Sequence, residues 1–252
     1  MALAEQHRTT LQVGHIERFN PAFEVAAKQC GTPKYIRGER LSPFAFRSAD
    51  IGAVHDLMIH DIDLVLDLVR APVRRVEAFG LSVLGAQEDT VQARITFENG
   101  CIADLTANRV NPFFRRAMQV WSLEGCVNVD FTSREVVCFE PTETLIYGVS
   151  PLERAKQPGA DIEQLKKEMF GTYIRESRPE VSTRDVLTAE LSSFIDAVQT
   201  GRQPRVDGHA GLRAMQVADQ IVAAVAAHAW DGIPTGAVGP LVTGAGALRK
   251  AG

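Results

Sequence analysis

The sequence has little that would tie it to a metal, a membrane or a nucleic acid. Its four cysteines, Cys30, Cys101, Cys126 and Cys138, form no CxxC pair. Structural zinc is usually held by closely spaced ligands, so free thiols in a reducing cytosol are the simpler reading, and no metal site is expected. A basic excess is missing as well: 27 Lys and Arg stand against 31 Asp and Glu, a formal charge of −4. Nucleic acids and anionic membrane surfaces select clearly basic proteins, so neither is an expected partner. The longest apolar stretch near the C-terminus, residues 221–227, is too short to span a bilayer, and no basic-then-apolar signal segment is visible. The expectation is a cytoplasmic protein. Glycine-rich phosphate loops, GxGxxG or GxxxxGK followed by Ser or Thr, do not occur, and neither does a GxSxG elbow. No cofactor-binding residue can therefore be named from motif.

What is present is an ordinary globular composition. Hydrophobic residues make up 45% and charged residues 23% of the 252, enough apolar content to bury a sizeable core. The opening MALAEQHRTT reads as the end of an amphipathic helix, followed at once by LQVGHI as a short buried strand. Pro21 suits the first turn of a helix and Asn20 its N-cap; that helix runs to about Lys28 and stops at Cys30-Gly31. A strand is predicted over Lys34–Leu41. SPFAFRSAD is loop-like, with Asp50 placed to cap a helix over Ile51–Val69.

From Val76 the periodicity becomes extended. Strands are predicted at Val76–Val83, Thr90–Phe97, Cys101–Asn108, Ala117–Leu123, Cys126–Phe131 and Glu135–Phe139, with Asn99-Gly100 as a strong hairpin signal. Residues 140–185 are polar and irregular apart from a helix around Ile162–Phe170. Val186–Thr200 and Gly208–His228 read as amphipathic helices. The fold class is thus α+β: an open, mainly antiparallel sheet of about five to seven strands with helices on one face. The expected division is residues 1–16 as a helix–strand piece of another domain, 17–230 as the α+β domain, and 231–252 as a flexible Gly/Ala-rich tail.

Two polar clusters could carry chemistry. In HDLMIHDID, helical spacing puts Asp56, His60, Asp63 and Asp67 on one stripe, opposite Leu57, Met58, Leu64, Val65 and Leu68. A carboxylate beside an imidazole one turn away suits acid/base work near neutral pH. The same spacing also fits a plain solvated helix face, and His and Asp could ligate a divalent ion. The second cluster is GHIERFNP, at a strand end leading into a helix. Arg18 could grip a hydroxyl or phosphate oxygen and Asn20 could bond a sugar edge; alternatively Arg18 is a surface charge and Asn20 a cap.

QVGHIERFNPA, residues 12–22, and DLMIHDIDLVLDLV, residues 56–69, together resemble the Gfo/Idh/MocA oxidoreductases, the glucose–fructose oxidoreductase and inositol dehydrogenase family. LEGCVNVDF at 123–131 and ELSSFIDAVQTGRQP at 190–204 are family-like in order and spacing. The resemblance implies an NAD- or NADP-dependent dehydrogenase acting on a sugar, nucleotide-sugar or inositol carbinol. It assigns His60 as the acid/base that takes the hydroxyl proton, Asp56 as its orienting partner, and Arg18 and Asn20 as substrate-binding residues. GHIERFNPA is most similar to the UDP-N-acetylhexosamine 3-dehydrogenase-like branch, which makes a nucleotide sugar the leading substrate class. It further implies a homo-oligomer formed through the open sheet face. In that family GxGxxG and a Glu-Lys-Pro segment precede the part matched here. Residues 1–16 would then be the last helix and strand of a Rossmann domain, and hydride transfer by this chain alone is not expected. The alternative is a non-catalytic sugar-binding or dimerisation module.

Overall fold

The structure is a computed structural model, and it describes residues 1–46 and 50–228. The expected flexible tail, 231–252, lies outside the described residues. A short helix, α1 (Ala2–Gln6), and an extended segment lead to a 3₁₀ turn at Ile16–Phe19 and helix α2 (Pro21–Gln29). Then come β1 (Tyr35–Leu41), a π-helical turn (Val54–Met58) and α3 (Ile59–Val69). A run of strands follows: β2 (Val73–Leu81), β3 (Thr90–Phe97), β4 (Ile102–Asn108), β5 (Arg115–Trp121), β6 (Cys126–Asp130) and β7 (Glu135–Pro141). Three short helices, α4 (Glu143–Tyr147), α5 (Pro151–Ala155) and α6 (Ile162–Glu168), precede β8 (Ile174–Ser177). Helices α7 (Val186–Thr200) and α8 (Gly208–Ala227) complete the described chain.

The eight strands form one sheet in the order β2-β3-β4-β1-β5-β6-β7-β8. All neighbours are antiparallel except β1 and β4, which run parallel because α3 and β2–β3 intervene. Alternation sets the two faces. Ile36, Gly38 and Arg40 of β1 point to the helices, and Tyr35, Arg37 and Glu39 point to the open side. On the helix side, α2, α3 and α8 bury Phe23, Met58, Ile62, Leu64 and Ile221 against Ile36, Ile95 and Leu105. A side chain such as Phe23, 1% exposed, would cost about 3–5 kcal/mol to truncate to alanine.

The hairpin at Asn99-Gly100 forms as its sequence requires: Gly100 adopts φ +83, Phe97 N–H donates to Cys101 O, Gly100 N–H donates to Phe97 O, and Cys101 N–H donates to Asn99 Oδ1. Three expectations need correction. LQVGHI is not a buried strand, because its backbone pairs at a single point: Gln12 bridges to Asp207 and Val13 N–H donates to Val206 O. Asp50 does not cap the following helix. Glu88 does, its backbone and side-chain oxygens accepting from Ala53 N–H and Val54 N–H. Within 140–185, α4, α5 and β8 emerge from a stretch read as irregular.

Candidate active site around His60

Three elements converge beneath the sheet's parallel seam: the His15–Asn20 segment, strand β1 and the start of α3. The π-turn Val54–Met58 runs into α3, ending two residues before His60. Such turns are rare and concentrate at functional sites, because they displace one helical phase relative to the next. Here the turn carries His55 and Asp56, while His60 and Asp61 open α3.

The solvated-face reading of this helix does not hold. Asp61 and Asp63 are 2% and 1% exposed, each answered by a buried arginine. Arg18 donates from Nε and Nη2 to the two oxygens of Asp63 at 2.7 and 3.0 Å, and its Nη1 reaches Asp67 at 2.8 Å. Arg40 donates to Asp61 at 2.7 Å from Nη2 and to Glu17 at 3.0 Å from Nη1. Fork-shaped donation of this kind is what lets a guanidinium live away from water. Glu17 also accepts from Asn20 Nδ2 at 3.0 Å.

These contacts place the sequence-nominated residues. His60 and Asp56 lie on the same stretch, both partly buried, but Asp56 does not hold the ring through Nδ1: that atom is buried and has no hydrogen-bond partner. His15 presents its ring edge-on to His60, centroids 6.2 Å apart. Every nitrogen of Arg18 and the side-chain amide of Asn20 already has a partner inside the fold. Arg18 is consumed by Asp63 and Asp67. Asn20 caps α2 by accepting from Ala22 N–H at 3.0 Å while donating to Glu17 and to Phe131 O. Both side chains, expected to touch substrate, thus also tie the 15–20 segment to α3 and to the start of α2. Arg40, Glu17 and His15 were missed. The signal existed in β1, where an arginine falls on the same alternating face as Ile36 and so demands a buried carboxylate.

The electrostatics favour a neutral His60. Burial lowers its pKa first, Arg40 lowers it further, and the result is about 4. His15 is lowered too, chiefly by burial. Burial opposes the charge on Arg40, but Asp61 and Glu17 outweigh it and hold the guanidinium firmly protonated. Glu17 is driven down by Arg40 despite its own burial. At neutral pH the His60 imidazole therefore rests unprotonated, with a lone pair to accept a proton, and its Nδ1 is buried without a partner.

Among the described residues no group of three or more His, Cys, Asp or Glu side chains is disposed to hold a metal ion. No helix there is long and apolar enough to cross a membrane. The described residues also do not fit the phosphates of a dinucleotide. Their left-handed glycines, Gly31, Gly100, Gly125, Gly159, Gly171 and Gly201, sit at turns and helix ends, and none opens a helix directly after a strand.

Comparison with known proteins agrees with this architecture. Residues 24–127 match the model of the GFO/IDH/MocA C-terminal domain. The UDP-N-acetylglucosamine 3-dehydrogenase of Acidithiobacillus ferrooxidans is 31% identical over 228 residues, which is 90% of this chain and 66% of that protein. A solved structure of that enzyme superposes with a TM-score of 0.74 at 30% identity, covering 88% of this chain and 64% of the other. Levoglucosan dehydrogenase, solved in complex with NADH, shares the fold at a TM-score of 0.65 and 18% identity, over 86% of this chain and 64% of its own. The chain thus spans just under two thirds of the length of the relatives it matches. The chain belongs to the Gfo/Idh/MocA oxidoreductase family.

Proposed function

We propose that the chain is the substrate-binding and proton-transferring part of an NAD- or NADP-dependent dehydrogenase acting on a sugar, nucleotide-sugar or inositol carbinol. The observation that carries this reading is the neutral, part-buried His60 whose Nδ1 has no partner inside the fold. A nicotinamide would supply the hydride acceptor. Its phosphates would have to be held by groups other than the described residues. On the protein side, His60 accepts the proton of the carbinol hydroxyl as the carbon is oxidised, and returns it in the reverse direction. Asp56, four residues before it, binds the neighbouring substrate hydroxyl. Arg18, Asn20 and their carboxylates keep the 15–20 segment and α3 in register, which fixes where His60 stands. A nucleotide sugar is the favoured substrate, supported by the similarity to UDP-N-acetylglucosamine 3-dehydrogenase. Four unpaired cysteines support a cytoplasmic setting. Residues 1–16, α1 and an extended segment, are read as belonging with the nucleotide-binding side of such an enzyme, and residues 17–230 as the substrate domain.

Histidine-detected NMR tests the reading. Titration with UDP-N-acetylglucosamine is expected to shift the His60 ring resonances saturably, and Asp56→Asn is expected to weaken that response. If nucleotide sugar, glucose and myo-inositol all leave His60 unmoved, the substrate reading fails.

The absence of a phosphate cradle among the described residues favours a second reading, a sugar-binding or dimerisation module without catalysis. It predicts sugar binding that is indifferent to His60→Gln.

The partner across the open sheet is taken to be a second copy. That face carries exposed Trp121, Phe113 and Phe114, and a groove of about 800 Å³ lined by Arg37, Glu39, Gln119 and Asn128. Light scattering should report a dimer or larger species, reduced to monomer by Trp121→Glu; a monomeric wild type would reject this interface.

A further inference from the structure

Arg40 lies on the helix-facing side of β1 and is 3% exposed. Its contacts reach two other elements. Nε lies 3.2 Å from both oxygens of Asp61 and Nη2 lies 2.7 Å from one of them, so the residue that follows His60 in α3 is clamped to the sheet. Nη1 lies 3.0 Å from Glu17, so the 3₁₀ turn next to His15 is clamped as well. Gly38, two residues earlier on the same face of β1, permits this approach. A Cβ built there would lie 2.7 Å from Leu105 Cδ2 and 3.8 Å from Asp61 Cβ, so α3 rests almost on the strand backbone.

We propose that Arg40 is a positioning residue for His60. Through Asp61 and Glu17 it fixes the helix and the turn that flank the imidazole, and it sets a permanent positive charge behind a ring that must begin each cycle as a proton acceptor. This rests on the acid/base reading of His60. The charged and titratable groups that act on His60 are Arg40 from β1, Arg116 from β5, and Glu17 and His15 from the 15–20 segment. Of the cations among them, Arg40 is buried and doubly held, whereas Arg116 is 3.9 Å from Glu17 and far more exposed. The charge that acts on the ring without solvent screening is therefore Arg40's. The arrangement stores no proton: as His60 takes one, the imidazolium faces a fixed cation, which favours returning the proton to solvent or product.

The test is a histidine NMR titration of the full chain, with His60 assigned through His60→Gln. The wild-type ring should titrate near 4. Arg40→Met combined with Asp61→Asn removes the cation without leaving Asp61 as a lone buried carboxylate, and should raise the His60 midpoint by roughly one unit. Arg40→Lys keeps the charge and should hold the midpoint near the wild-type value while broadening the ring signal, since the fork is lost. If the double variant unfolds, Glu17→Gln gives the complementary reading: removing the anion should move the midpoint downward. A folded double variant, or Glu17→Gln, with His60 titrating as in wild type would overturn the proposal. Failure of His60 as an acid/base would instead appear as turnover unaffected by His60→Gln once the chain is joined to a nucleotide-binding domain, and would leave the titration unchanged.

Discussion

Replacing Arg18 by methionine removes a guanidinium lodged between two carboxylates and leaves Asp63, at 1% exposure, without its counter-charge. The Arg18–Asp63 pair has fork geometry and both side chains are almost fully dry, so little of its attraction is screened. Removing one member of such a pair costs about 3–5 kcal/mol, mostly the penalty of the charge left behind. Burial already pushes Asp63 toward the protonated form, so the loss should be largest at neutral pH and smaller in mild acid. Removing both partners, with Arg18→Met and Asp63→Leu together, should recover most of the loss, to within about 1 kcal/mol of wild type. Asp67, at 27% side-chain exposure, can turn to water. Urea unfolding followed by circular dichroism measures each corner of the cycle, with the slope checked for constancy. If Arg18→Met is as stable as wild type but has lost affinity for a nucleotide sugar, Arg18 grips substrate and the framework role is wrong.

Other consequences can be checked alongside. Because the folded-state pKa of His60 lies below its unfolded value, the unfolded chain takes up this proton first as pH falls. The stability tied to it is intact above about pH 6.5 and is lost progressively down to about 4, up to about 3 kcal/mol in all. The difference between wild-type and His60→Gln unfolding curves should show that slope, and parallel curves would refute it. Asn20→Ala removes the α2 cap and a donor to Glu17, and should cost about 1–2 kcal/mol in denaturant unfolding without changing sugar affinity. Gly125→Ala, at φ +136 with a built Cβ only 2.1 Å from Phe139 O, should destabilise the β5–β6 hairpin by at least about 2 kcal/mol. A thermal midpoint within a degree of wild type would contradict that.

The elements that were legible in the sequence are those whose side chains alternate or repeat against a single core. Thr90–Phe97 matches its strand to the residue because Val91, Ala93, Ile95 and Phe97 alternate cleanly into the core. Val186–Thr200 is equally plain, from its helical period and the glycine that ends it. Elements sustained by a neighbour rather than by their own pattern were not. Strand β8 has four residues, mostly exposed, and owes its form to pairing with β7. LQVGHI has a strand's composition, yet a strand also needs partners, and here it has one bridge.

The site divides the same way. His60 stands out through its spacing from Asp56 and the family motif, and the fold puts both in one partly buried stretch. The charges around them could not be sorted from spacing alone. Asp63 and Asp67 look like a wet helix face until Arg18 is folded onto them, and Arg40 becomes visible only when β1 is given a core side. Periodicity says which face a residue is on. It does not say that two buried arginines have paired their way into that face.

The most direct test of His60's role joins the part of the Acidithiobacillus ferrooxidans enzyme that this chain does not span to the front of residues 1–252, and follows nicotinamide reduction with UDP-N-acetylglucosamine. Turnover in the fusion, with His60→Gln reducing kcat by about 10²–10⁴-fold and leaving sugar affinity within a few-fold, is the expected result. An active fusion whose His60→Gln variant turns over at the parent rate would contradict it.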